Sequence, residues 1–205
     1  PNGSGKTTLL KLCLGLISSK AGTIKIFRED IKDTEQKNKI SYISQKSNAF
    51  NVSFPATVQE LIYSSLRSVG YDSKSSKKMS SDAIDLVGIG HIADRRIGNL
   101  SGGQQQKAFI AKAISSKPEI IFLDEPTVGI DYGSEGFFYE AMHMLNQKGV
   151  TICMISHDIS AITSYANRVA CIGEDTFHIH ESNDIMDIET SLKKIYGKKM
   201  RLVTH

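Results

Sequence analysis

The chain begins Pro1-Asn2-Gly3-Ser4-Gly5-Lys6-Thr7-Thr8 and runs directly into an apolar segment. Glycines in such a stretch permit backbone turns that bring successive N–H groups onto an anion, and a following helix adds its positive N-terminal end. Lys6 supplies a point charge for the β- and γ-phosphates of a nucleoside triphosphate, and Thr7 a hydroxyl for Mg²⁺. The residues that hold the nucleoside triphosphate are therefore expected to be Asn2, Gly3, Ser4, Gly5, Lys6, Thr7 and Thr8. The full pattern G-x-x-x-x-G-K-[ST] asks for one more glycine before Pro1. A further segment, with the strand that leads into the loop, is expected upstream.

Ile120-Ile121-Phe122-Leu123-Asp124-Glu125 reads as a buried strand ending in two carboxylates. Asp124 is placed to join the Mg²⁺ shell, and Glu125 to orient and deprotonate an attacking water. Two acids beside a phosphate site are costly without a cation, which itself argues for Mg²⁺. His157 follows another apolar run in Ile155-Ser156-His157-Asp158, and Gln45 ends a short one at Ile40–Ser44. Parallel strands deliver their C-terminal ends to one ligand crevice. Gln45, Glu125 and His157 are thus expected to meet near Lys6 as the catalytic set, with Thr7, Gln45 and Asp124 as the Mg²⁺ set.

The elements that must position these residues follow from pattern. Thr7–Ile17 reads as a helix, apolar nearly all round, and so buried under a sheet. Thr23–Phe27 alternates as a strand. Thr57-Val58-Gln59-Glu60 is a capping box opening a helix to about Leu66, and Ser101 with Gln104 opens another. Tyr71–Ser81, rich in Ser and Lys, reads as a solvated loop before a helix at Met79–Val87. Ile120–Leu123, Val150–Ile155 and Val169–Ile172 read as parallel strands separated by helices at about 134–147 and 158–166.

Composition narrows the function classes. A net charge of +3 is too weak to argue for nucleic acid. No window approaches the roughly 18 apolar residues that a spanning helix needs. Cys13, Cys153 and Cys171 are isolated in apolar runs, as buried reduced thiols would be.

These positions resemble one family closely, the nucleotide-binding subunits of ABC transporters. The decisive match is Leu100-Ser101-Gly102-Gly103-Gln104-Gln105-Gln106, that family's signature motif. Gln45 is similar to its Q-loop glutamine, Gly129-Ile130-Asp131 to its D-loop, and His157 to its switch histidine. The resemblance implies a head-to-tail pair of subunits. Each ATP would lie between one phosphate loop and the other copy's Ser101, Gly102, Gly103 and Gln104. Physically, Ser101 and the N–H groups behind it form a second anion-binding helix cap.

A finer resemblance, to the ATPases of zinc and manganese importers, lies at Phe50-Asn51-Val52-Ser53-Phe54-Pro55-Ala56-Thr57-Val58, at Ile92–Gly98 and in the tail at Tyr196–Lys199 and Leu202–His205. There Arg96 stands where a proline is usual, and Lys107 replaces the usual arginine after the signature. Lysine keeps the charge but not the planar fork. His178, His180 and His205 are dispersed in a weakly patterned tail.

The resemblance implies an α/β fold: a P-loop NTPase core with a parallel sheet covered by helices, an inserted helical subdomain, and N-terminal strands missing. Residues 1–45 and 116–180 would form the catalytic core, 46–115 the helical subdomain and 181–205 a C-terminal tail. The implied function is ATP hydrolysis, with Mg²⁺, powering import of zinc or manganese. A separate membrane permease would dock near Phe50–Glu60. A second ATPase subunit and an extracellular metal-binding protein complete the expected partners, with no nucleic acid, and the site of action is the cytoplasmic face of the membrane. Two alternatives stay open. One is an importer ATPase for iron chelates or cobalamin. The other is a soluble ABC-type ATPase on DNA or ribosomes, which the single cassette and the short interval between Lys6 and Asp124 disfavour.

Overall fold

The computed structural model describes residues 3–44, 55–128, 132–173, 177–181, 188 and 190–192. They fall into two compact units, residues 25–154 and residues 1–24 with 155–205.

The larger unit opens with a hairpin of β1 (Lys25–Ile26) and β2 (Glu29–Asp30), antiparallel, with Lys25 opposite Asp30. Its two turn residues, Phe27 and Arg28, both take positive φ, 54° and 67°. That geometry suits the twist of a two-residue hairpin but normally calls for Asn-Gly. The strand expected over 23–27 is therefore only two residues long, because the chain reverses at Phe27. Lys39 braces the turn, with its ammonium 5.6 Å from the Phe27 ring centroid and 2.8 Å from the Glu119 carboxylate.

The sheet beside it has the order β3 (Ile40–Ile43), β4 (Ile120–Asp124), β5 (Thr151–Ile155). β3 and β4 are parallel, Ile40 facing Ile120 and Ile43 facing Leu123. The Glu119 N–H donates to the Lys39 carbonyl and the Thr151 N–H to the Glu119 carbonyl, each at 2.8 Å, so the three strands start level. β4 is central and buries Ile121, Phe122, Leu123 and Asp124. A strand covered on both faces needs such an unbroken apolar run. β5 leaves Cys153 exposed, contrary to the expectation of three buried thiols. None of the three cysteines is in a disulfide.

Helices α2 (Val58–Ser68), α3 (Ser73–Val87) and α4 (Gly102–Ser115) pack on one another, and α4 also meets β3 and α5 (Tyr132–Gln147). In α2 the capping box forms in full: Thr57 accepts from the Glu60 N–H and Glu60 accepts from the Thr57 N–H. Two other N–H groups of its first turn, those of Val58 and Gln59, donate to the carbonyls of Arg95 and Ala93. The hydrogen bonds from Thr57, first its backbone N–H and then its hydroxyl, hold the Glu60 carboxyl below the usual carboxylate range. α4 is the centre of the unit, with Ala108 to Ala111 and Ala113 to Ser115 buried. Each large side chain such as Ile110 that leaves water contributes roughly 1.5–3 kcal/mol.

The stretch expected as a loop over 71–81 is helical. Asp72 caps α3 through the N–H groups of Lys74 and Ser75, and Ser76, Ser80, Ala83 and Ile84 form its buried stripe. Serine at these positions hid the helical period, because the stripe is small rather than greasy. The Ser80 hydroxyl accepts from the Gln59 amide at 2.6 Å, which satisfies it inside.

In the smaller unit, α1 (Lys6–Cys13) is shorter than the expected 7–17. Gly15, at φ 67°, ends it. The Leu16 N–H reaches back to the Lys11 carbonyl at 2.9 Å and Gly15 to Leu12 at 3.0 Å, a glycine C-cap. Only Leu10 of this helix is buried, with Leu9, Leu16 and Ile17 exposed. Leucines on every side of a short helix cannot all reach one packing surface.

α6 (Ile159–Tyr165) leads to β6 (Arg168–Ile172), which pairs antiparallel with β7 (Phe177–Glu181). The expectation of a parallel strand at 169–172 is thus corrected: among the described residues its hydrogen-bonded neighbour is β7. Val169, Cys171 and Ile188 form a small core with Ile162, Ala166 and Leu192.

Candidate nucleotide site

In the smaller unit, Gly3 and Gly5 take φ of 84° and 87°, and a Cβ at either would meet nothing within 4 Å. The turn therefore needs glycine for its backbone conformation, not for space. Gly5 stands at the N-cap of α1 and supplies no side-chain cap. The Lys6 ammonium folds back to donate to the Ser4 hydroxyl at 3.2 Å. Thr7 and Thr8 lie in the first turn of α1. A glycine turn running into a helix N-terminus, with a lysine and hydroxyls and no acid in residues 3–8, fits a polyphosphate. His157 follows β5 and is exposed. The Asp158 N–H donates to the Ser156 hydroxyl at 3.0 Å, and the Asp158 carbonyl accepts from Ile162, which launches α6 just beyond His157.

In the larger unit, Asp124 ends β4 at 3 % exposure. Its negative field reaches one strand across to Tyr42, whose phenol is pushed up first by burial and then by Asp124. A buried carboxylate at a strand end is a hard-oxygen donor, suited to a cation such as Mg²⁺. Glu125 follows at φ 48°, an uncommon conformation for a non-glycine residue, and is tied into a turn by the Val128 N–H at 3.4 Å. Pro126 behind it is fully buried, so the turn cannot relax outward.

Ser101 caps α4 with the second full capping box, its hydroxyl accepting from the Gln104 N–H. Gly102 and Gly103 form the first turn, where no side chain screens the N–H groups. Asn2, Gln45 and Asp131, like Phe50–Phe54, lie outside the described residues.

Three contacts could not be read from the sequence. The Gln105 amide donates to the carbonyls of Ile97 (3.0 Å) and Leu100 (3.3 Å), tying the approach to Ser101 onto α4. Lys107 sits over the Phe137 ring, 4.4 Å from its centroid. Tyr42 shares the field of Asp124. Separately, a cavity of about 170 Å³ between β3, α2 and α4 is lined by Tyr42, Ser65, Val69, Phe109 and Lys112 among others. It contains none of the predicted site residues.

His178 and His180 stack loosely at 6.1 Å, and His180 pairs with Ser191 at 2.9 Å. Among the described residues no group of three His, Cys, Asp or Glu could hold a metal ion. Nor is any helix there long and apolar enough to cross a membrane.

The model of the ABC transporter family matches residues 1–128, from the phosphate loop through Ser101 and Glu125. The chain belongs to the ABC transporter family. Like the ATP-binding proteins of that family, it is an ATP hydrolase. Curated relatives agree. The zinc uptake system ATP-binding protein ZurA of Listeria innocua is 44% identical over 179 residues, covering 85% of this chain and 70% of its own length. The manganese transport system ATP-binding protein MntB of Halalkalibacterium halodurans is 32% identical over 201 residues, covering 96% of this chain and 79% of its own. Among solved structures, a transporter described as of the metal-chelate ABC type, facing inward, superposes with a TM-score of 0.81 at 24% identity, over 96% of this chain and 74% of that one. This last likeness bears on the fold alone.

Proposed function

We propose that this ABC ATPase powers import of a metal ion, zinc ahead of manganese, through a separate membrane permease. The observation that carries the reading is the 44% identity to a zinc uptake ATP-binding protein across most of the chain. Manganese stays second, on the 32% identity to MntB.

In this reading two copies of the chain pair head to tail at the cytoplasmic face of the membrane. Gly3–Thr8 of one copy and Ser101–Gln104 of the other hold each ATP. Mg²⁺, when bound, supplies positive charge at the phosphate oxygens, with Thr7, Asp124 and Gln45 as its holders. Glu125 takes the proton of the attacking water, His157 orients the γ-phosphate, and Asp131 contacts the opposite copy. The permease docks near Phe50–Glu60, and an extracellular metal-binding protein delivers the cargo. The buried Asp124, the constrained Glu125 and the capped Ser101 support these roles.

The test is growth of cells whose natural protein carries Glu125→Gln, under a broad divalent chelator. Arrest relieved by zinc salts at low concentration is expected. Relief by manganese alone would reverse the order of the two metals, and relief only by iron chelates or cobalamin would overturn the metal-ion reading.

A further inference from the structure

Lys107 and Phe137 occupy matched places. Each lies in the second turn of its helix, α4 or α5, roughly 7–8 Å along the axis from the helix start at 1.5 Å per residue. Their contact, ammonium to ring centroid at 4.4 Å, is well within cation–π range. The neighbouring residues fix both ends. Gln106 and Ala108 are buried on either side of Lys107, and Phe138 is fully buried beside Phe137. Gln105, two residues before Lys107, ties the approach to Ser101 onto α4. An ammonium has no planar fork with which to engage a carboxylate while it sits on a ring, whereas a guanidinium does both. In this chain, then, the cation serves the ring.

We propose that Lys107 and Phe137 are positioning residues that lock the N-terminal ends of α4 and α5 together. The Ser101–Gly103 cap and the start of α5, which follows Asp131, then close on a second copy as one body. Closure by a second copy rests on the function proposed above, but the lock is read on ATP hydrolysis, which does not depend on the cargo. Failure of the metal-import reading would leave this test intact.

Steady-state hydrolysis by the full-length protein is measured for Lys107→Met, Phe137→Leu, the double variant, Lys107→Arg and Phe137→Tyr. Each of the first two should lower kcat by roughly five- to tenfold with the ATP KM within about twofold, because the phosphate loop is untouched. The double variant should be no slower than the worse single, the mark of a shared contact. Lys107→Arg and Phe137→Tyr should both hold kcat within about twofold of wild type, since each keeps a cation on a ring. Losses that multiply in the double variant would overturn the proposal, as would an unchanged kcat or a raised KM at constant kcat. Should Lys107→Met or Phe137→Leu fail to fold, the conservative pair still decides: a loss in either of those variants while it remains folded overturns it.

Discussion

The Ser101 hydroxyl accepts the Gln104 N–H at 3.4 Å, and the Gln104 side chain accepts the Ser101 N–H at 3.2 Å. Thr57 and Glu60 make the same reciprocal pair at the start of α2. Two identical devices thus begin two helices, and only one is proposed to touch nucleotide. Thr57→Ala and Ser101→Ala should each cost about 1 kcal/mol of stability, the usual loss of a cap. Ser101→Ala alone should also slow hydrolysis about tenfold or more, through the loss of a hydrogen bond to a charged group. Thermal melts beside kcat values separate the two effects. Equal kinetic losses in both variants would make Ser101 a cap and nothing else.

Glu125→Gln keeps the shape of the side chain and removes the base. Single-turnover hydrolysis should fall about 10²–10⁴-fold. Because Glu125 sits at φ 48°, Glu125→Gly should also abolish hydrolysis yet raise stability by about 1 kcal/mol, the relief of a left-handed residue. A destabilised Glu125→Gly would show that the conformation is not strained.

Arg28 offers the same strain without the chemistry. At φ 67° in an exposed hairpin turn, Arg28→Gly should stabilise the fold by about 1 kcal/mol and leave kcat unchanged. Denaturant midpoints at equal slope would record it.

Burial lowers the proton affinity of Lys112 in the cavity below β3. The folded chain then binds fewer protons there than the unfolded one, between the lowered value and that of an ordinary lysine. Stability contributed at this site therefore rises with pH through that window. Lys112→Met should raise the melting temperature at neutral pH, by a margin that shrinks as pH climbs toward about 10. A margin constant from neutral to alkaline pH would remove Lys112 as its source.

Legibility in the sequence followed the range of the forces involved. Local chemistry was plain: the phosphate loop, both capping boxes and the apolar run ending in Asp124-Glu125 each state their geometry within a few residues. The first half of α3 was not plain, because its inward face there is Ser76 and Ser80, which looks polar until Gln59 satisfies Ser80, whereas Met79–Val87 reads as a helix. β7 was missed because histidines alternate with Phe177 and Ile179, and only the pairing with β6 makes a strand of them. The Phe27–Arg28 turn lacks the glycine that would have announced it. The contacts of Gln105, and of Lys107 with Phe137, join residues whose approach is set by packing, so no local pattern could carry them.

The seam of α3 has a mechanical consequence. Its buried stripe offers Ser76, Ser80 and Ala83, side chains short enough to let a neighbouring helix come close, with Ile84 as the one large member. Directional restraint comes from a few hydrogen bonds, chiefly Gln59 to Ser80 and Tyr63 to Ser73. Small side chains set how near the helices lie: Ser76 and Ser80 are both fully buried, so any longer side chain at either place would have to push α3 off its neighbours.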